Sequence, residues 1–320
     1  MIHQPAALLS RLFARRRNPT ARTGKKSLDE IPLYLMLAPA VLLVLVYSYA
    51  PMVGIVMGFQ RVLPGKGLFG SPWVGFENFA FVFAMPTIYQ VIWNTIKIAG
   101  LKALAGVLVP VSVALMLNNV TSRLFKRTVQ TVIYLPHFLS WIIMAGILVD
   151  ILSPSEGIVN QALGLLGVKP IFFLGDDTVF PWTMVFTEVW KSFGFGTIIY
   201  LAALTDIDPT LYEAAVVDGA TRAQQTRYIT LPGISGTIIM LTTLSLGNIL
   251  NAGFDQIFNL YSPVVYRTGD IIDTLVFRTG IIGNQYGIAT AVGLLKSVVS
   301  LLLIGIAYKL AAKWADYRIF

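Results

Sequence analysis

Cysteine is absent from the 320 residues, which excludes disulfides, thiolate metal sites and cysteine nucleophiles. Histidine occurs twice, as His3 and His137, too sparsely for a histidine metal cage. Charge is scarce as well: 12% of residues are Asp, Glu, Lys or Arg, about half the share in a typical soluble domain. The acidic residues are scattered, and neither a Gly-x-Ser-x-Gly elbow nor a Walker-type phosphate loop occurs. Nothing in the sequence therefore points to catalysis on this chain.

What is abundant is apolar surface, with 56% hydrophobic residues and a mean hydropathy of +0.71. So few charges cannot coat a soluble globule of this length, and a bilayer is the natural solvent for the excess. A net charge of +8 is then read as a topology signal rather than as an affinity for nucleic acid, because one side of a membrane protein is enriched in Lys and Arg.

Six apolar runs have the roughly 20 residues that cross about 30 Å of hydrocarbon as a helix: 31–60, 88–117, 128–149, 180–204, 233–254 and 287–311. The expected fold class is an all-α polytopic membrane protein with six transmembrane helices. If the N-terminus is cytoplasmic, fifteen Lys and Arg residues fall on the inner side, seven of them in the tail from Arg11 to Lys26, and five (Arg61, Lys66, Lys169, Arg267 and Arg278) on the outer side. That asymmetry predicts cytoplasmic termini. The basic run has no small-residue cleavage site after a short apolar core, so it does not read as a signal peptide. Residues 6–17 (AALLSRLFARRR) read either as an interfacial amphipathic helix or as a disordered basic tail.

The expected organisation is a basic cytoplasmic tail at 1–30, a first span with its outer loop at 31–87, a core at 88–312 and a cytoplasmic tail at 313–320. Trp73, Phe76, Phe79, Trp182 and Tyr261 in or beside the outer loops suit an interfacial aromatic belt. An external protein partner for those loops is the alternative.

Between the fourth and fifth spans lies DIDPTLYEAAVVDGATRAQQTRYITLPGI, residues 206–234. Asp208 is a good helix N-cap and Pro209 a good first helical residue. Asp218-Gly219 should stop that helix with a left-handed corner. A second short helix is predicted over 220–228, with Pro232 starting the next span. The run Glu213-Ala214-Ala215, then Asp218-Gly219-Ala220, then Ile229-Thr230-Leu231-Pro232 resembles the EAA loop of ABC importer permeases. WVGFENF at 73–79, WNTIKIAG at 93–100, YLPHFLSWII at 134–143 and GIVNQALGLLG at 157–167 are similar to the carbohydrate-uptake branch, closest to permeases of polysaccharide type such as those of alginate importers.

That resemblance implies a type I importer permease fold whose loop supplies cytoplasmic coupling helices. It assigns Glu213 to polar contact with a separate ATPase, Ala214 and Ala215 to close packing, and Gly219 to the corner, with Asp218, Ala220 and Pro232 in the same motif. Many members have a bulky apolar residue where this chain has Thr226, and Tyr228 is the alternative anchor. The implied partners are a second permease subunit, a pair of ATPase subunits that hold ATP and Mg, an external substrate-binding protein and an oligosaccharide. No cofactor is implied on this chain, and the location is the cytoplasmic (inner) membrane. The competing reading is a secondary ion-coupled transporter, which predicts intramembrane carboxylates for coupling and often an internal repeat.

Ionisable residues within spans are costly and seldom face lipid. Glu188 and Lys191 are three apart and could pair. Lys97, Lys102 and Lys296 have no carboxylate on their own helix, so an acidic oligosaccharide or carboxylates elsewhere would have to compensate them. Asn248, Asn251, Asp255, Gln256 and Asn259 recur at intervals of three or four and form the candidate sugar-facing stripe, with helix–helix hydrogen bonding as the alternative. Lys102 and Lys296 are the further candidates for the path, and His137 reads as a satisfied buried histidine.

Overall fold

The computed structural model describes residues 31–246 and 250–315. Among these no strand forms, and the one β-bridge joins Gln60 to Trp73. Two compact units are present, one ending at Val53 and the other beginning at Gly54. The first carries α1 (Ile31–Val44), which lacks formal charge, and a following π turn at Leu45–Tyr49. The tail at 1–30, with its amphipathic segment, and residues 316–320 lie outside the described residues.

In the second unit a short helix, α2 (Glu77–Ala84), precedes α3 (Ile88–Asn118). Then come α4 (Arg123–Tyr134), α5 (Trp141–Ile151), α6 (Ile158–Leu165) and α7 (Phe180–Thr205). The loop helices α8 (Pro209–Val217) and α9 (Arg222–Gln225) lead into α10 (Leu231–Leu246). The chain finishes with α11 (Phe254–Leu260), α12 (Ile272–Phe277) and α13 (Tyr286–Ala315). Four helical runs are long and apolar enough to cross a membrane: Pro32–Phe59, Ile88–Asn118, Arg222–Ser245 and Tyr286–Ile306. At 26 residues α7 is long enough to span, but its charges and hydroxyls keep it out of that set. The expected count of six is therefore not reached on length and composition alone.

The third expected span is corrected. Instead of one helix over 128–149, α4 and α5 meet at 107°. The cause is local. Pro136 lies in a 3-10 turn at Leu135–Phe138, and the Ser140 hydroxyl accepts from the Ile143 N–H at 3.3 Å, starting α5 afresh. The fifth span is corrected at both ends. It runs without a break from Arg222 to Ser245, and at its far side Gly253 takes φ +92° before α11 begins. Pro232 thus continues a helix rather than starting one. The π turn at Thr226–Thr230, closed by the Leu231 N–H onto the Thr226 carbonyl, absorbs the N–H that proline lacks and the clash its ring would make.

α3 and α7 form the most extensive helix pair. Apolar burial contributes little to association of helices in lipid, so close packing and hydrogen bonds must hold them together. Gly196 lets the Pro110 ring approach to 3.2 Å of where a Cβ would stand, and the Thr197 hydroxyl on α7 reaches the Pro110 carbonyl on α3 at 3.4 Å. One buried cluster joins Ile98, Met144, Phe180, Met184, Ile257 and Ile271, and another joins Val111, Ala114, Tyr200, Leu204 and Ile234 nearer the 206–232 loop. Among the belt aromatics, Trp73, Phe76 and Phe79 gather around Phe59 at 5.2–5.6 Å between ring centroids.

Candidate coupling loop and membrane cavity

The loop forms as its residues dictate. The Asp208 carboxylate accepts from the Thr210 N–H at 2.9 Å and caps α8, and this bond holds the carboxyl below its usual range. Gly219 adopts φ +77°, the left-handed corner, and the Ala220 N–H closes back onto the Ala215 carbonyl at 2.8 Å. Thr221 and Gln224 form a capping box that starts α9. Glu213, Ala214, Asp218 and Gly219 are exposed, whereas Ala215 and Ala220 are half-buried. Of the two expected anchors, Tyr228 is 69% exposed with Arg227 over its ring, and Thr226 is turned inward, its hydroxyl donating to the Arg222 carbonyl. Glu213, Ala214, Asp218, Gly219 and Tyr228 are thus among the exposed members of the loop.

A cavity of about 450 Å³ lies between α3, α7 and α10, lined by Lys102, Glu188, Ser192, Ser245, Asn251 and Gly253 among others. Lys102 stands at its polar end. Its ammonium donates to the Ala252 carbonyl at 2.6 Å and to the Gln256 side-chain oxygen, with the Glu188 carboxylate at 3.8 Å. Gln256 is fully buried and donates onward to the Met184 carbonyl at 2.8 Å and the Thr187 hydroxyl at 2.7 Å. Non-helical backbone at membrane depth needs its carbonyls satisfied or facing a cavity, and Lys102 does this for the corner at Ala252. Lys296 does not line this cavity but adjoins it, donating to Asn251 on its wall at 2.8 Å and pairing with Asp273 at 2.5 Å.

Several sequence expectations change here. Glu188 pairs with Lys102 rather than with Lys191, which donates to the His137 carbonyl at 3.0 Å and lies over the Trp141 ring. Lys102 and Lys296 both have carboxylate partners from other helices, while Lys97 has neither a hydrogen bond nor an ion pair among the described residues. The polar stripe is not one face: Asn248 lies outside the described residues, Gly253 breaks the helix, Gln256 is buried, and Asp255 and Asn259 are exposed. His137 stacks on Phe195 at 4.2 Å, and its buried Nδ1 has no hydrogen-bond partner among the described residues. Sequence reasoning missed Thr187, Ser192 and Asp273, since hydroxyls in an apolar run and a carboxylate on the short helix α12 carry no local signal.

The sequence profile of the family described as binding-protein-dependent transport system inner membrane component matches residues 106–316. The chain belongs to that family. The permease is 38% identical over 295 residues to the polygalacturonan/rhamnogalacturonan transport system permease YteP of Bacillus subtilis, covering 92% of each chain. It is 39% identical to LplB of the same organism, covering 90% of this chain and 91% of that one. A permease chain from the crystal structure of a bacterial ABC transporter that imports the acidic polysaccharide alginate superposes with a TM-score of 0.82 at 40% identity, covering 89% of this chain and 96% of that one. The same transporter in complex with an alginate pentasaccharide-bound periplasmic protein gives 0.81. The permease therefore has the type I ABC importer fold and is a non-catalytic transport subunit. The secondary-transporter reading falls with that membership.

Proposed function

We propose that this permease passes acidic oligosaccharides across the cytoplasmic (inner) membrane, and that residues 206–232 couple it to a separate ATPase that holds ATP and Mg. A second permease subunit completes the pathway, and an external binding protein delivers the sugar. The observation that carries the reading is the 40% identity over 89% of the chain to a permease of the alginate importer. The exposure of Glu213, Ala214 and Tyr228 supports the docking role. Glu188 and Asp273 compensate Lys102 and Lys296, so these two lysines do not require a substrate carboxylate as their partner. Initial uptake of a uronate oligomer and of a neutral oligomer of equal length by the reconstituted complex tests the substrate class. Uptake of the uronate is expected, and uptake of the neutral oligomer alone would overturn it.

The excess of basic residues supports a cytoplasmic position for both termini and the loop. The chain has no cysteine to remove, so Arg222→Cys labels cleanly. It should react with an impermeant maleimide only in inverted vesicles, and labelling of intact cells would reverse this topology.

Glu213→Lys and Gly219→Val should leave insertion intact but uncouple transport from hydrolysis. The first reverses a charge on the exposed face. The second forces a β-branched residue to φ +77°, a strain of about 1–3 kcal/mol with no atom within 4 Å to relieve or worsen it. Sugar imported per ATP hydrolysed is the readout, and wild-type ratios in both variants would remove the coupling role.

A further inference from the structure

The exposed face of α8 can carry a push from an ATPase into the membrane only if α8 is fastened to a spanning helix. Towards α10 the covalent route runs through the Gly219 corner, where the backbone turns at φ +77° and a Cβ would meet nothing within 4 Å. Two contacts bypass it. Just before α8, Ile207 packs on Gly233, leaving 2.7 Å to the position of a Cβ. Within α8, the Tyr212 and Thr230 hydroxyls are 3.0 Å apart, part-buried and 18 residues apart in sequence. Thr230 gives its own proton to the Gln225 carbonyl at 3.3 Å, so the Tyr212 O–H donates to Thr230. Among the described residues this is the one side-chain hydrogen bond between α8 and the helix that becomes α10.

The surroundings suit a strut. Behind it lies a cavity of about 180 Å³, lined by Leu115, Asn118, Asn119, Tyr212, Arg222 and Thr230 among others. There α8 could rock without moving α10 if nothing bridged the space. Thr230 ends the π turn and precedes Pro232, so force applied there enters the helix where its hydrogen-bond ladder is already irregular. We infer that the Tyr212–Thr230 hydroxyl pair is the strut that transmits movement of α8 to α10, with Tyr212 a positioning residue for coupling. The inference rests on the docking of the loop to an ATPase proposed above.

The test uses the complete complex in proteoliposomes with its binding protein and a uronate oligomer, comparing Tyr212→Phe, Thr230→Val, Thr230→Ser and the Tyr212→Phe/Thr230→Val double variant. Two quantities are read: ATPase retained on affinity purification, and sugar imported per ATP hydrolysed. Retention should equal wild type throughout. The ratio should fall about three- to tenfold in Tyr212→Phe and in Thr230→Val, the scale of one lost hydrogen bond. Thr230→Ser should restore it, and the double variant should be no worse than the poorer single one. Normal retention with unchanged ratios, or a double variant equal to the product of the singles, would overturn the strut alone. A wild-type complex that retains no ATPase would overturn the docking and the strut together.

Discussion

Replacing Lys102 with Met is expected to abolish uptake of uronate and neutral oligosaccharides alike and to lower the yield of folded permease sharply. The Lys102 side chain is 9% exposed, and its ammonium serves three acceptors at once: the Ala252 carbonyl, Gln256 and the Glu188 carboxylate. Methionine matches its length but supplies no proton. Glu188 would then be left as an uncompensated charge at membrane depth, and the Ala252 carbonyl would lose its donor. Removing one partner of a buried pair costs about 3–5 kcal/mol, enough to remove most of a marginal stability. Lys102→Met/Glu188→Gln should recover part of the loss, because the stranded charge is gone. Thermal inactivation of the detergent-solubilised complex reads these differences. Loss confined to the uronate, with a normally stable complex, would instead make Lys102 a substrate-facing charge.

Gly194→Val is expected to prevent the permease from reaching its folded form. A Cβ at Gly194 on α7 would stand 2.0 Å from the Ile133 carbonyl oxygen and 2.5 Å from its carbon. Both obstacles are backbone, so no rotamer change can clear them, and α4 would have to move away from α7. Such overpacking costs about 1–3 kcal/mol where side chains can adjust, and more where they cannot. Gly194→Ala should show the same defect in milder form. Gly100→Ala serves as the control, since nothing lies within 4 Å of its added methyl, and it should be neutral or slightly stabilising because alanine favours helix. Equal stability of Gly194→Val and wild type would refute the close approach of α4 and α7.

These two sites mark the boundary of what the sequence could reveal. The cap at Asp208 and the corner at Gly219 in the 206–234 loop were legible because each acts on its immediate neighbours, whereas the capping box of Thr221 and Gln224 and the helix running on through Pro232 were not read. The apolar runs at 88–117 and 287–311 match α3 and α13 closely, since periodicity and length decide a long helix. The break between α4 and α5 had a visible signal in Pro136 and Ser140, but hydropathy averaged over a span conceals a sharp turn inside it. Gly253 likewise warned that the polar stripe could not continue as one helix face. Other features had no local signature. Lys102 meets Glu188 from 86 residues away, a distance that spacing on one helix cannot anticipate. The Gly194–Ile133 approach likewise exists only once α7 has turned back against α4.

In the function proposed above, this permease couples binding-protein delivery of an acidic oligosaccharide to ATP hydrolysis on another chain. ATP hydrolysis by the reconstituted complex tests it most directly, measured with the binding protein empty, loaded with a uronate pentasaccharide and loaded with a neutral pentasaccharide. Strong stimulation is expected from the uronate-loaded protein, little from the other two, and none in the Glu213→Lys variant. Equal stimulation by the neutral sugar would contradict the substrate class, and hydrolysis indifferent to every form of the binding protein would contradict the coupling itself.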